Sequence, residues 1–145
     1  MIWKASGDFL GVRLDPGDDL LESVGKAVID SGFGSGFIVS FVGALKKARF
    51  TSIVLSEDGF KYAPMRDVEG AIEIISGSGN IEPKQQGGLK VHVHAMMCIN
   101  DKEFTGGHLD DTGNIIGITA EIMIVKFPGM VRGAPKGSFA PIFFK

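Results

Sequence analysis

Only one cysteine, Cys98, stands among the 145 residues of this chain, so no disulfide can close within it. That points to a reducing compartment, where thiols stay free. Cys98 lies in the apolar run "AMMCI" and reads as an inert core thiol rather than a nucleophile. Excess basic charge is missing as well. Lys and Arg number 15 against 17 Asp and Glu, and the net charge of −2 gives no electrostatic footprint for nucleic acid. Long apolar runs are also lacking. The stretch around "GFIVSFVGAL" is about half a membrane span, and "MIWKASGDFLGVRL" has no continuous apolar segment of the secretion-signal kind. A soluble, cytoplasmic protein that crosses no membrane is therefore expected. There is no GxxxxGK[ST], and Gly77-Ser78-Gly79 lacks the strand and helix of a dinucleotide fingerprint, so it reads as a flexible connection.

What the chain has in quantity is apolar residues. A hydrophobic content of 44% is high for a small soluble monomer and suggests that part of the apolar surface is buried between subunits. The length suits one domain, expected to span 1–145. Within "LDPGDDLLESVGKAVIDSGFG" the residues Leu20, Leu21, Val24, Ala27 and Val28 recur at helical spacing. Asp15 or Asp18 is placed to cap the start, and Gly32 to stop the end. Most of the remainder reads as strand: Phe37–Val42, Ala48–Leu55, Ala71–Ser76, two strands bearing histidines, Ile115–Phe127, and a last short strand in "SFAPIFFK". "GSGNIEPKQQGG" reads as a polar connection. One helix among about eight strands predicts an α+β protein of mainly antiparallel sheet.

All three histidines fall between positions 92 and 108. His92 and His94 are two residues apart, so on a strand both rings leave one face. Between them and His108 lies "INDKEF", in which Asn100, Asp101 and Lys102 have hairpin-turn character. A turn centred near Asp101 sets His94 opposite His108, with Cβ atoms about 5 Å apart. Three neutral imidazoles plus a water or substrate make an open tetrahedral position for a divalent transition metal, zinc above all. The alternative is three ordinary histidines on a sheet face.

Other candidates are weaker. Glu73 and Glu121 interrupt apolar strands. Each either turns inward, where it needs a partner such as a metal-bound histidine or an arginine, or points to solvent. Glu121 is thereby the candidate for acid–base work, with Arg13 and Arg49 as partners or anion binders. Lys46, Lys47 and Arg49 form the one dense basic cluster and read as a solvated turn or strand end. "VRGAPKG" at 131–137 is superficially like an AT-hook core, but Ala134 replaces the second arginine, and the segment reads as a loop.

Taken together, "VRLDPGDDLLESV", "VGALKKA", "EIISGSGNI", "VHVH", "GGHL" and "TAEIMI" resemble, in order, the plants-and-prokaryotes-conserved (PPC) domain. The resemblance implies a compact α+β fold assembled as a homotrimer, with a metal bound through histidines in some prokaryotic members. His92, His94 and His108 match that histidine pattern in full. The fold is similar to that of acetolactate decarboxylase, whose zinc is held by an HxH pair and a third histidine. This implies, as one alternative, a metal-dependent lyase or hydrolase acting on a small carbonyl or carboxylate compound. Prokaryotic members are also described as predicted DNA-binding proteins, which implies a DNA-binding or scaffolding module without catalysis as the other.

Overall fold

The computed structural model describes residues 1–136 and 139–145, so Gly137 of "VRGAPKG" and Ser138 of "SFAPIFFK" lie outside the described residues. The elements are β1 (Ile2–Ser6), β2 (Phe9–Leu14), α1 (Leu20–Asp30), β3 (Gly36–Thr51), β4 (Ile53–Ser56), β5 (Gly59–Tyr62), β6 (Arg66–Pro83), β7 (Leu89–Ile99), β8 (Glu103–Leu109), β9 (Ile115–Lys126), β10 (Met130–Arg132) and β11 (Ile142–Phe144). The architecture is α+β, as expected. Seven strands form one antiparallel sheet in the order β1-β2-β9-β3-β6-β7-β8, and the end of β3 also pairs with β8, so the sheet rolls back on itself.

One face of the sheet is covered by α1. The helix buries the anticipated stripe of Leu20, Leu21, Val24, Ala27 and Val28 against alternate residues of β2 and β7. Its N-cap is Asp19, not Asp15 or Asp18. One Asp19 oxygen accepts from the Glu22 N–H, while the other takes the Gly113 N–H at 2.7 Å, so this cap also fastens the loop before β9. Asp18 instead accepts from the Asp15 N–H at 2.9 Å. At the far end Gly32 adopts φ +65°, the left-handed stop that its position suggested. No helix among the described residues is long and apolar enough to cross a membrane.

The strand boundaries differ from expectation in two places. Phe37–Val42 and Ala48–Leu55 belong largely to a single strand, β3, whose register shifts near Val39 and Lys46 break the alternation that would have revealed it. Lys46 and Lys47 therefore lie within a strand, where Lys47 pairs with Glu69. Likewise "GSGNIEP" is not a connection: it is the second half of β6, paired with β7 from Ser76 to Pro83. The glycines there serve close approach rather than turning. A Cβ at Gly77 would overlap the Phe41 ring, and one at Gly79 would overlap the carbonyl oxygen of His92.

The face opposite α1 carries apolar side chains with no cover: Val42, Ile75, Met96, Phe104, Ile118 and Met123 are all exposed, Phe104 at 70% and Ile118 at 68%. Glu73 and Glu121 also project outward, exposed to solvent.

The Gly79 contact predicts a measurable cost. Gly79→Ala should destabilise the protein by about 3 kcal/mol in chemical denaturation, near the top of the ordinary range for one substitution. Gly11→Ala, whose added Cβ approaches nothing closer than the Lys4 carbonyl oxygen at 4.0 Å, should change stability far less.

Candidate metal centre

The β7–β8 hairpin turns through Asn100 and Asp101, both with positive φ (50° and 56°), and the Lys102 N–H closes it on the Ile99 carbonyl at 3.1 Å. Two consecutive left-handed residues closed by a bond from the fourth residue back to the first have type I′ turn geometry, whose twist suits a hairpin, and Lys102 completes the three-residue connection to β8. Asn100 is anchored further. Its backbone N–H donates to the Ala71 carbonyl, and its side-chain oxygen accepts the Ala71 N–H, which ties the turn to β6. With the turn fixed, His94 stands directly opposite His108, the register that the spacing suggested.

Along β7, Val91, Val93, Ala95, Met97 and Ile99 are buried in the core, so His92 and His94 must leave the other face. His108 reaches them from β8, paired on one side with His94 and on the other with Thr51 of β3. The glycines of "GGHL" permit this double pairing. A Cβ at Gly106 would overlap the Ala95 carbonyl of β7, and one at Gly107 the Thr51 carbonyl of β3.

The three rings converge. His92 Nε2 is 3.1 Å from His108 Nδ1 and 3.1 Å from His94 Nε2, and all three donor atoms lie within 4.8 Å of one another. Ligand nitrogens about 2.0–2.1 Å from a tetrahedral zinc stand roughly 3.3–3.4 Å apart, so His92 already stands from each of its two neighbours near the spacing that a shared ion would set. Burial lowers the pKa of all three. His92 falls to about 4, through burial first and then the nearness of His108, His94, Arg132 and Lys90. At neutral pH the rings are therefore uncharged, the state in which imidazole ligates. With His92 Nε2 turned to its neighbours, its Nδ1 is buried without a partner among the described residues.

Beside the histidines opens a cavity of about 580 Å³, with His92 and His108 in its wall. Tyr62 lies in the same wall, its ring 5.5 Å from that of His108 and 5.3 Å from that of Phe139. Lys84, Lys90 and Arg132 supply the cations. Arg132 is held by the fully buried Glu82: its Nε donates to Glu82 Oε1 at 2.6 Å, its Nη2 to Asn80 Oδ1 and its Nη1 to the Ala140 carbonyl. Burial pushes the Glu82 carboxyl up, and Arg132 pulls it back. Asn80 and Glu82 pair across β6–β7 with His92 and Lys90, so the four form a block beside the rings.

Sequence reasoning located the histidines and missed this block. Asn80 and Glu82 sit two apart in "NIEP" and would have declared a common face had β6 been recognised there. Val131 and Arg132 belong to β10, not to a loop. Glu121 is placed elsewhere: it lies on β9, opposite Arg13 and Val42, with β3 and β6 between it and β7. Arg13 pairs with Asp15, and Arg49 with Asp110.

Comparison with solved structures gives the same fold. A metal-containing protein of Archaeoglobus fulgidus superposes with a TM-score of 0.76 at 22% identity, covering 100% of this chain and 99% of the other. A candidate DNA-binding protein of Bacteroides thetaiotaomicron gives 0.81 at 19% identity over 99% and 96%. A plant- and prokaryote-conserved (PPC) protein of Pyrococcus horikoshii gives 0.75 at 24% identity over 96% and 92%. No match to a curated protein was found. The family model of the Plants and Prokaryotes Conserved (PCC) domain matches residues 4–128, and with the histidine hairpin, the rolled antiparallel sheet and helix α1 in place, the chain belongs to that family.

Proposed function

We propose that this protein binds one divalent transition-metal ion per chain through His92, His94 and His108, leaving a coordination position open towards the adjoining cavity. The observation that carries this reading is the convergence of three uncharged imidazoles, with His92 Nε2 at 3.1 Å from a nitrogen of each neighbour and all three donor atoms within 4.8 Å. Zinc fits the donor set best, since three histidines and one open position are its usual catalytic arrangement. Bound there, zinc would polarise an oxygen ligand or lower the pKa of a bound water. A reducing, cytoplasmic setting suits the free Cys98. After metal stripping and reconstitution, elemental analysis should give one equivalent of metal per chain. His92→Ala and His108→Ala should each weaken binding by more than about 100-fold, beyond the roughly 10–100-fold typical of losing an outer partner. A reconstituted wild type without stoichiometric metal overturns the proposal.

The assembly proposed is a homotrimer. Its support is the uncovered apolar face: Met96, Phe104 and Ile118 are more than half exposed and share that face with Val42 and Ile75. Such a surface belongs in an interface. Sedimentation should return about three times the chain mass of 15.4 kDa, and Phe104→Glu with Ile118→Glu should lower it. A wild-type mass near one chain refutes the trimer.

DNA binding is the second reading, favoured by neighbours described as candidate DNA-binding proteins. Against it stand the net charge of −2 and the pairing of Lys47 and Arg49 with Glu69 and Asp110. Electrostatic affinity is greatest at low salt, so a mobility-shift titration against AT-rich duplex at low ionic strength should show no complex. A salt-sensitive shift there would reinstate DNA as a partner.

A further inference from the structure

We infer that the cavity beside the histidines receives a small organic acid, with one oxygen of the ligand at the open metal position and its carboxylate against Arg132, Lys84 and Lys90. This rests on the metal reading above.

Charge is the first argument. The fixed charges around the cavity cancel in pairs: Arg132 with Glu82, Lys90 with Asp111, Arg49 with Asp110. Lys84 adds one more positive charge in the cavity wall. The three histidines are neutral ligands, so a divalent ion held by them keeps its whole double charge. No carboxylate belongs to the cluster that could take it. A bound ion is then the largest charge in the site and calls for an anion.

The second argument is preorganisation. A guanidinium has five N–H donors. Those of Arg132 that face Glu82, Asn80 and the Ala140 carbonyl fix its plane, while one Nη1 N–H is left over, and the residue lines the cavity. Its anchor, Glu82, is 0% exposed and grows from the strand paired with that of His92. Lys84 forms a backbone bridge with Arg132 itself. The Arg132 guanidinium is therefore held at a set distance from the rings rather than swinging in from solvent, and the backbone of Lys84 is tied beside it.

Shape is the third. A volume of about 580 Å³ suits a small molecule, and Tyr62, Met65, Pro135 and Phe139 give it an apolar side for a short carbon skeleton.

Cobalt-loaded protein tests this, because the visible spectrum reports ligands entering the metal's open position. Malonate and glutarate are the probes, with malonamide as the uncharged control. Cobalt content is measured first. At full cobalt, the dicarboxylates should alter the spectrum saturably and malonamide should not. Lys84→Gln with Lys90→Gln should weaken dicarboxylate binding about tenfold at unchanged cobalt content, the loss expected on removing charge-assisted contacts. These lysines avoid the buried Glu82 pair, and Arg132→Lys serves as the second variant. Protein that takes up no cobalt overturns the metal reading and this inference with it. Full cobalt with no response to dicarboxylate, or with equal affinity in the lysine variants, overturns this inference alone.

Discussion

The candidate site depends on the register of β7 between β6 and β8. In a strand every side chain is committed to one face by its position, and a slip of one residue exchanges the faces completely. Here that slip would carry His92 and His94 into the core and turn Val91, Val93 and Met97 out to solvent. Burial of that apolar row thus fixes where the imidazoles point, and the helix stripe packed on it secures the same choice from the far side. The turn at Asn100-Asp101 then sets the opposing strand, and the small residues at Gly79, Gly106 and Gly107 let the backbones approach closely enough for the ladders to form. The rings meet because of these backbone arrangements, before any attraction between the rings contributes.

What the sequence made legible follows from how local each signal is. The histidine pair needs only the period of a strand, and the partner needs only a short turn, so the spacing located all three rings. The helix stripe is equally local. The second half of β6 was hidden because Gly77, Ser78, Gly79 and Asn80 carry the composition of a loop, while the reason for the two glycines lies in Phe41 and His92 on the neighbouring strands. Strand β3 was split because its bulges interrupt alternation. Glu82, Arg132 and Tyr62 come from three separate segments, and nothing in any one segment names the others. The cap went to Asp19 rather than Asp15 or Asp18 because the loop before β9 also needed that carboxylate, a tertiary demand invisible locally.

The buried Glu82–Arg132 pair is costly to desolvate, and such pairs are weak evidence of stabilisation by themselves. Its placement gives it another role. It converts a flexible arginine into a rigid donor and shapes the cavity wall next to His92, while Asn80 and the Ala140 carbonyl take up the remaining polar demand. Stability spent in this way is returned as positional accuracy, which is what a binding site requires.

The double pairing of β8 has a dynamic meaning. His108 rides on a strand bonded to β7 on one side and to β3 on the other, so its backbone cannot swing out by fraying a single edge. Displacing that stretch of β8 demands that two ladders part together, an opening that belongs to the cooperative unfolding of the rolled sheet rather than to local breathing. The Cα of His108 is thereby held in place relative to β7, and any rearrangement of the ring cluster is left to the torsions of the side chains themselves.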